Sequence, residues 1–155
     1  MKKSTPSLYE LSGSCHCGNL SFEMQITDEP VSYATRSCDC EFCCKHGASY
    51  LSDKDGKLTI SIIDQSNLQK YRQGSKIADF LLCKQCSVLI GVCCEIQGNL
   101  FASINSRTID GDTMFGETQT VSPQHLSDDE RVHRWQEVWF QDVQINYIIG
   151  EDSSQ

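Results

Sequence analysis

Cys38-Asp39-Cys40-Glu41-Phe42-Cys43 overlaps a C-x-C with a C-x-x-C. Three thiols within six residues are too many for one disulfide and supply three corners of a metal tetrahedron. Zinc sits about 2.3 Å from thiolate sulfur, and a catalytic zinc takes three protein ligands and leaves a fourth position open. The C-x-x-C can close one tight turn with both sulfurs inward. On a flat strand the two sulfurs of the C-x-C would stand about 7 Å apart, so the chain must bend between Cys38 and Cys40 to hold one ion.

The chain has ten cysteines. Cys15 and Cys17 form a second C-x-C, and Cys83 and Cys86 a second C-x-x-C. Neither pair satisfies zinc alone. Together they make a closed tetrahedron of four sulfurs that staples an early hairpin to a late one, the kind of site that contributes folding free energy outright. The expectation is two zinc ions, one structural and one catalytic, the latter on Cys38, Cys40 and Cys43. An open zinc favours a thiolate at neutral pH and polarises a carbonyl. Three thiolates leave the site with a net negative charge, which weakens both effects relative to three histidines.

His46 follows Cys43 by three residues and has three readings: fourth ligand, acid–base group, or solvated loop residue. Cys44, adjacent to a ligand, points away in most turn geometries. Cys93 and Cys94 lie in an apolar run and read first as small buried hydrophobes, with a redox or ligand role as the alternative. His16, inside the first C-x-C, reads as exposed. Arg36, Lys45, Arg72 and Arg107 are candidates for holding an anionic substrate.

The elements that must position these residues are mostly strands. Leu8 to Ser14 reads as an entry strand, and Leu20 to Ile26 alternates apolar and polar over a half-buried one. Val31 to Ser37 leads into the three-cysteine segment. Gly47 to Leu51 is expected to join Leu58 to Ile62 through a hairpin at Asp55-Gly56, with Asp53-Lys54-Asp55 as a solvated turn. Asn67 to Arg72 fits a strand or a helical turn. Ile77 to Leu82 enters the second C-x-x-C, Val88 to Val92 leaves it as a central strand, and Leu100 to Ile104 closes the core. Asp112 to Pro123 reads as polar and turn-rich. Ser127 with Glu130 is a capping box for an amphipathic helix over about 127–141, on which Trp135 and Trp139 serve as core packing.

This pattern resembles the glutathione-dependent formaldehyde-activating family, which includes centromere protein V. The resemblance rests on Gly13-Ser14-Cys15-His16-Cys17-Gly18 with Phe22-Glu23, on Cys38 to Cys43, on Phe80 with Cys83-Lys84-Gln85-Cys86, and on Asn105 to Asp110. It covers roughly residues 10–110. It implies a β-tent fold of packed antiparallel sheets, a structural zinc on the outer four cysteines and a catalytic zinc on the central three. It also implies a carbon–sulfur lyase that condenses glutathione with formaldehyde. Two positions depart from the family pattern: Ser87 stands where a glycine usually follows the knuckle, and Lys45-His46 precede Gly47 where a small or hydroxyl residue is common.

Length and composition set the outer bounds. At 155 residues and 39% hydrophobic content, one globular domain is expected over 9–150, with a disordered lead at 1–8 and tail at 151–155. A formal charge of −8 disfavours nucleic acid and anionic membrane as partners. Met1-Lys2-Lys3 runs into Ser4-Thr5-Pro6-Ser7 rather than an apolar stretch, so a cytoplasmic protein is expected, where cysteines serve metals better than disulfides. The leading expectation is a zinc enzyme joining or releasing a small thiol and a small aldehyde. The alternatives are a zinc-stapled binding module and a thiol redox or metal-buffering protein.

Overall fold

A computed structural model describes residues 9–73 and 76–148. The expected lead and tail fall outside them. The strands are β1 (Tyr9–Ser14), β2 (Leu20–Ile26), β3 (Ala34–Cys38), β4 (Tyr50–Leu51), β5 (Lys57–Ile62), β6 (Leu68–Tyr71), β7 (Asp79–Cys83), β8 (Leu89–Ile96), β9 (Asn99–Asn105), β10 (Gly116–Val121) and β11 (Asp142–Tyr147). Helix α1 (Glu41–His46) lies between β3 and β4, and α2 (Asp128–Val138) between β10 and β11. They form a four-stranded sheet, β1-β2-β5-β11, and a seven-stranded sheet, β10-β3-β4-β9-β8-β7-β6. The mainly β architecture of packed sheets with a short C-terminal helix is the one expected. No helix among the described residues is long and apolar enough to cross a membrane.

Period-two patterning builds the layers. Leu20, Phe22, Met24 and Ile26 of β2 are buried beside Leu58, Ile60 and Ile62 of β5, paired antiparallel with Phe22 opposite Ile60. They pack on Leu81, Ile90, Ala102 and Ile104 from one face of the large sheet. The alternate residues Phe80, Val92 and Phe101 face the other way, toward Trp135 and Trp139 of the α2 segment. The large sheet is thus covered on both faces. This is why β8 reads as a nearly continuous apolar run and sits centrally between β7 and β9.

Several boundaries and one connection differ from expectation. The chain from Asp53 to Gly56 does turn, yet it carries the chain from β4 in the large sheet to β5 in the small one and is no hairpin. A side chain at Gly56 would run into the Gln25 carbonyl oxygen, so close backbone approach is what the glycine serves. Asp53 is buried rather than solvated. Its carboxylate accepts from the Thr27 N–H at 2.9 Å, the Thr27 hydroxyl at 2.8 Å, the Tyr33 hydroxyl at 2.6 Å and the Asp55 N–H at 2.9 Å. Residues 30–32 form a 3-10 turn before β3, and 65–67 another before β6, so that segment holds both a turn and a strand.

The core does not close at residue 110. β10 forms in the stretch expected to be turn-rich, and β11 follows α2; each lies parallel to its neighbour, β3 and β5 respectively, in otherwise antiparallel sheets. Helix α2 ends at Val138, three residues short of the expected limit, where Trp139 turns to extended backbone. Its capping box is present: the Ser127 hydroxyl accepts from the Glu130 N–H, and the Glu130 carboxylate from the Ser127 N–H.

Asp53 therefore acts as a staple between the end of β2 and the sheet-to-sheet connection. Burial raises its carboxyl pKa, but the bonds from Tyr33, Thr27 and Asp55 outweigh burial and hold it below the usual value. A depressed folded pKa contributes stability above the unfolded value of about 3.9, lost as pH falls through the folded value. Asp53→Asn is expected to cost about 1–3 kcal/mol. In chemical denaturation that penalty should be constant from about pH 8 to 5 and shrink below about 4. A penalty that changes near pH 7 contradicts this role.

Candidate metal centres

The outer cysteines sit on two tight turns. Cys15 and Cys17 lie between β1 and β2, where Gly18 takes φ +88° and its N–H bonds the Cys15 carbonyl at 3.2 Å. Cys83 ends β7 and Cys86 precedes β8, with Ser87 at φ +68° donating its N–H to the Cys83 carbonyl at 2.8 Å. The four sulfurs lie within 4.8 Å of one another. Two of the separations are 3.8 Å (Cys15–Cys17) and 3.6 Å (Cys17–Cys83). A tetrahedron with zinc–sulfur bonds of about 2.3 Å has edges of about 3.8 Å, so this donor set fits zinc. Every described cysteine is a free thiol. The Leu20 N–H donates to Cys15 Sγ at 3.3 Å. Burial works against ionising Cys86, yet N–H groups of Cys17 and Val88 bring it down to about 6. Burial holds Cys15 and Cys83 up, so the thiolate these turns favour is the one on Cys86.

The inner cysteines sit where a strand becomes a helix, which is the bend their spacing demands. Cys38 is the last residue of β3, and Cys40 is the N-cap of α1, its sulfur accepting from the Cys43 N–H at 3.4 Å. Cys43 lies within α1 and is buried, and Gly47 ends the helix at φ +63°. All three sulfurs lie within 4.8 Å of one another. The Tyr50 hydroxyl is 3.3 Å from Cys43 Sγ, and Gln73 Nε2 is 3.7 Å from Cys40 Sγ. The hydrogen bond from Cys43, against the effect of burial, draws Cys38 down to about 6, while the same bond and then burial push Cys43 up. One thiolate is thus favoured by the protein itself.

A cavity of about 400 Å³ opens over these three sulfurs. Phe80 and Val92 of the large sheet line one side, and Trp135 and Trp139 another, stacked with ring centroids 4.6 Å apart. The tryptophans are core packing, as expected, and also a cavity wall. Arg36, Arg131 and Arg134 line the same space. Arg36 reaches it because β3 alternation puts it on the face of Cys38. Burial, then the charge of Arg134, lowers its pKa to about 10.

The seven expected ligands thus gather into the two expected groups. His46 does not join them. It is exposed at the end of α1 with its ring 4.7 Å from that of Phe42, one helical turn back, and lines no part of the cavity. Of the four candidate cations only Arg36 lines the cavity. Lys45 pairs with Glu41 at 3.6 Å, Arg72 with Asp79 at 2.7 Å, and Arg107 lines a separate hydroxyl-rich depression. Cys44 and His16 are exposed, and Cys93 and Cys94 buried, as expected. Tyr50, Gln73, Arg131 and Arg134 were not anticipated. The capping box fixes the phase of α2, and counting from it by threes and fours places Arg131, Arg134, Trp135 and Val138 on one face.

No family model and no curated protein matches the chain. Among solved structures it is similar to a crystal structure of a Rhodobacter sphaeroides protein, with 23% sequence identity, a TM-score of 0.48, and coverage of 65% of this chain and 89% of that one.

Because the outer sulfurs join a turn of each sheet, Cys83→Ser is expected to lose one equivalent of metal and to unfold or aggregate. A soluble variant with unchanged melting temperature contradicts the pairing. Ser87 holds a left-handed conformation that strains any side chain, so Ser87→Gly is expected to stabilise by about 1 kcal/mol. Thermal denaturation of the metal-loaded protein reads this as a raised midpoint, and a lowered one contradicts it.

Proposed function

We propose that the protein is a cytoplasmic zinc enzyme of carbon–sulfur bond chemistry, a lyase that joins or releases a small thiol such as glutathione and a small aldehyde such as formaldehyde. Cys15, Cys17, Cys83 and Cys86 would hold a structural zinc, and Cys38, Cys40 and Cys43 a catalytic one. The observation that carries the reading is that the three inner sulfurs line a half-open cavity large enough for an organic substrate, whereas the outer four complete a tetrahedron by themselves. The resemblance of the cysteine pattern to the formaldehyde-activating family supports the same choice.

Zinc bound there would favour a substrate thiolate and polarise a carbonyl near neutral pH. The rest of the work falls to the chain's own residues. Tyr50 and Gln73 hold Cys43 and Cys40 in place through their polar groups. Trp135 and Trp139 give the space beside the sulfurs an apolar wall, where charge interactions are stronger than in bulk water. With His46 turned onto Phe42, no described histidine closes the inner site, which favours an enzyme over a closed binding module. Cysteines that stay reduced for metal suit the cytoplasm, and a net charge of −8 does not suit a nucleic-acid or anionic-membrane partner.

Exchange spectroscopy on carbon-13 formaldehyde with glutathione, and separately with 3-mercaptopropionate, tests the reading. The zinc-loaded protein should accelerate formation and breakdown of the hydroxymethyl thioether with at least one of the thiols. Cys40→Ser should abolish the acceleration while the outer zinc and the fold persist. Absence of acceleration with both thiols, or its survival in Cys40→Ser, contradicts the proposal.

A further inference from the structure

We infer that the cavity over the inner cysteines recognises an organic anion: a carboxylate held between Arg36 and Arg134, on an apolar body lying along the Trp135–Trp139 stack. This deepens the reading above and rests on it only for pointing a sulfur of that molecule at Cys38, Cys40 and Cys43.

The two arginines are the first argument. Arg36 donates to the neutral hydroxyls of Ser52 at 2.7 Å and Ser103 at 3.4 Å. Among the described residues it has no carboxylate within ion-pair distance, and Arg134 has neither an ion pair nor a hydrogen bond. The third cation is occupied: Arg131 donates to the carbonyls of Pro123 and Leu126, both at 3.1 Å, and lies 3.6 Å from Asp128. Acidic residues outnumber Lys and Arg by 21 to 13 in this chain, so two neighbouring arginines lack acids in a protein rich in them. Three thiolates on one zinc would bring a single net negative charge to the same cavity, so the two guanidinium groups still exceed it by one. Like charges in a partly apolar space are unfavourable unless a further anion is shared between them. A carboxylate meets guanidinium groups through paired hydrogen bonds and relieves that repulsion.

The remaining lining narrows the class. About 400 Å³ is typical of a small organic ligand and far exceeds what a one-carbon aldehyde fills, so most of the space belongs to the other reactant. Its walls are Phe80, Val92 and the two tryptophans, which favour an aliphatic or aromatic body. For an ammonium group the described lining offers one acid, Asp128, which is largely exposed and faces Arg131 at 3.6 Å, while the nearby Asp39 accepts from Ser122 and Gln124. The lining therefore selects a carboxylate thiol without an amino group over a zwitterion such as glutathione. Arg134 and the tryptophans come from α2 and its C-cap, outside the residues 10–110 that carry the family resemblance, so the C-terminal segment of this chain shares in this selectivity with Arg36.

Titration calorimetry on the zinc-loaded full chain decides it, with benzoate, benzamide, 3-mercaptobenzoate and glutathione as probes. Benzoate is expected to bind at least ~10-fold tighter than benzamide, and Arg134→Gln to remove about that factor. Arg36→Gln should do the same, and if that half-buried site fails to fold, Arg134→Gln at the α2 surface still gives the answer. 3-Mercaptobenzoate is expected to bind tighter than glutathione. Equal binding of benzoate and benzamide overturns the inference. So does benzoate affinity unchanged in Arg134→Gln, which would mean the carboxylate binds metal alone, and so does a preference for glutathione. Should 3-mercaptobenzoate bind no tighter than benzoate, the thiol reading of the site fails while the anion site stands.

Discussion

The outer four sulfurs are the constraint on which the rest of the structure depends. They bring the turn between β1 and β2 in the small sheet to the turn between β7 and β8 in the large one, beside the backbone bridge that links Gly13 to Ile109. The apolar layer between the sheets supplies the bulk of the driving force, since Leu20, Phe22, Ile60, Ile90 and Ile104 are almost completely buried. That force is not directional. A tetrahedral ion on these four sulfurs would be, and would fix which turn meets which. The strained backbone at Ser87 persists because its N–H closes the turn that presents Cys83 and Cys86.

With the sheets so placed, β3 delivers Arg36 and Cys38 to one face, and the change from strand to α1 brings Cys40 and Cys43 around beside them. Both metal sites use the same ligand chemistry and differ in what surrounds them. The outer group is completed by its own cysteines. The inner group is one cysteine short and has a cavity instead, walled on one side by α2. The α2 segment packs its tryptophans on Phe80 and Val92 and thereby converts a sheet face into one wall of a half-open cavity, lined by two arginines that have no ion pair among the described residues. Stability and specificity thus reside in different parts of one chain.

How much of this was legible in the sequence follows from how local each signal is. Ligand pairs two or three residues apart depend on a single turn, so the grouping of Cys15, Cys17, Cys83 and Cys86 and of Cys38, Cys40 and Cys43 could be read directly. The alternation of Leu20 to Ile26 and Leu58 to Ile62 likewise needs only the pleat of a strand. Asp55-Gly56 signals a turn correctly, but whether the following strand pairs with the preceding one is decided by packing far away, and here it does not. β10 is exposed along nearly all its length, Gly-Glu-Thr-Gln-Thr-Val, and gains from backbone pairing with β3 rather than from burial, so it leaves no apolar pattern to find. β11 did leave one, in Val143, Ile145 and Tyr147, but it lies beyond the stretch that carries the family resemblance. His46 is near the cysteines in sequence, yet one turn of helix sets it over Phe42 instead. The unpaired state of Arg36 and Arg134 is a relation between β3 and α2 and has no local trace at all.

X-ray absorption at the zinc edge, together with the zinc content of the purified chain, tests the central claim most directly. Two sites built from the four outer and three inner cysteines predict two zinc ions per chain and an average of between three and four sulfur neighbours at about 2.3 Å. The remaining scatterer should change when a small thiol is added. A single zinc per chain, or four sulfurs on every zinc before any thiol is present, would contradict the account.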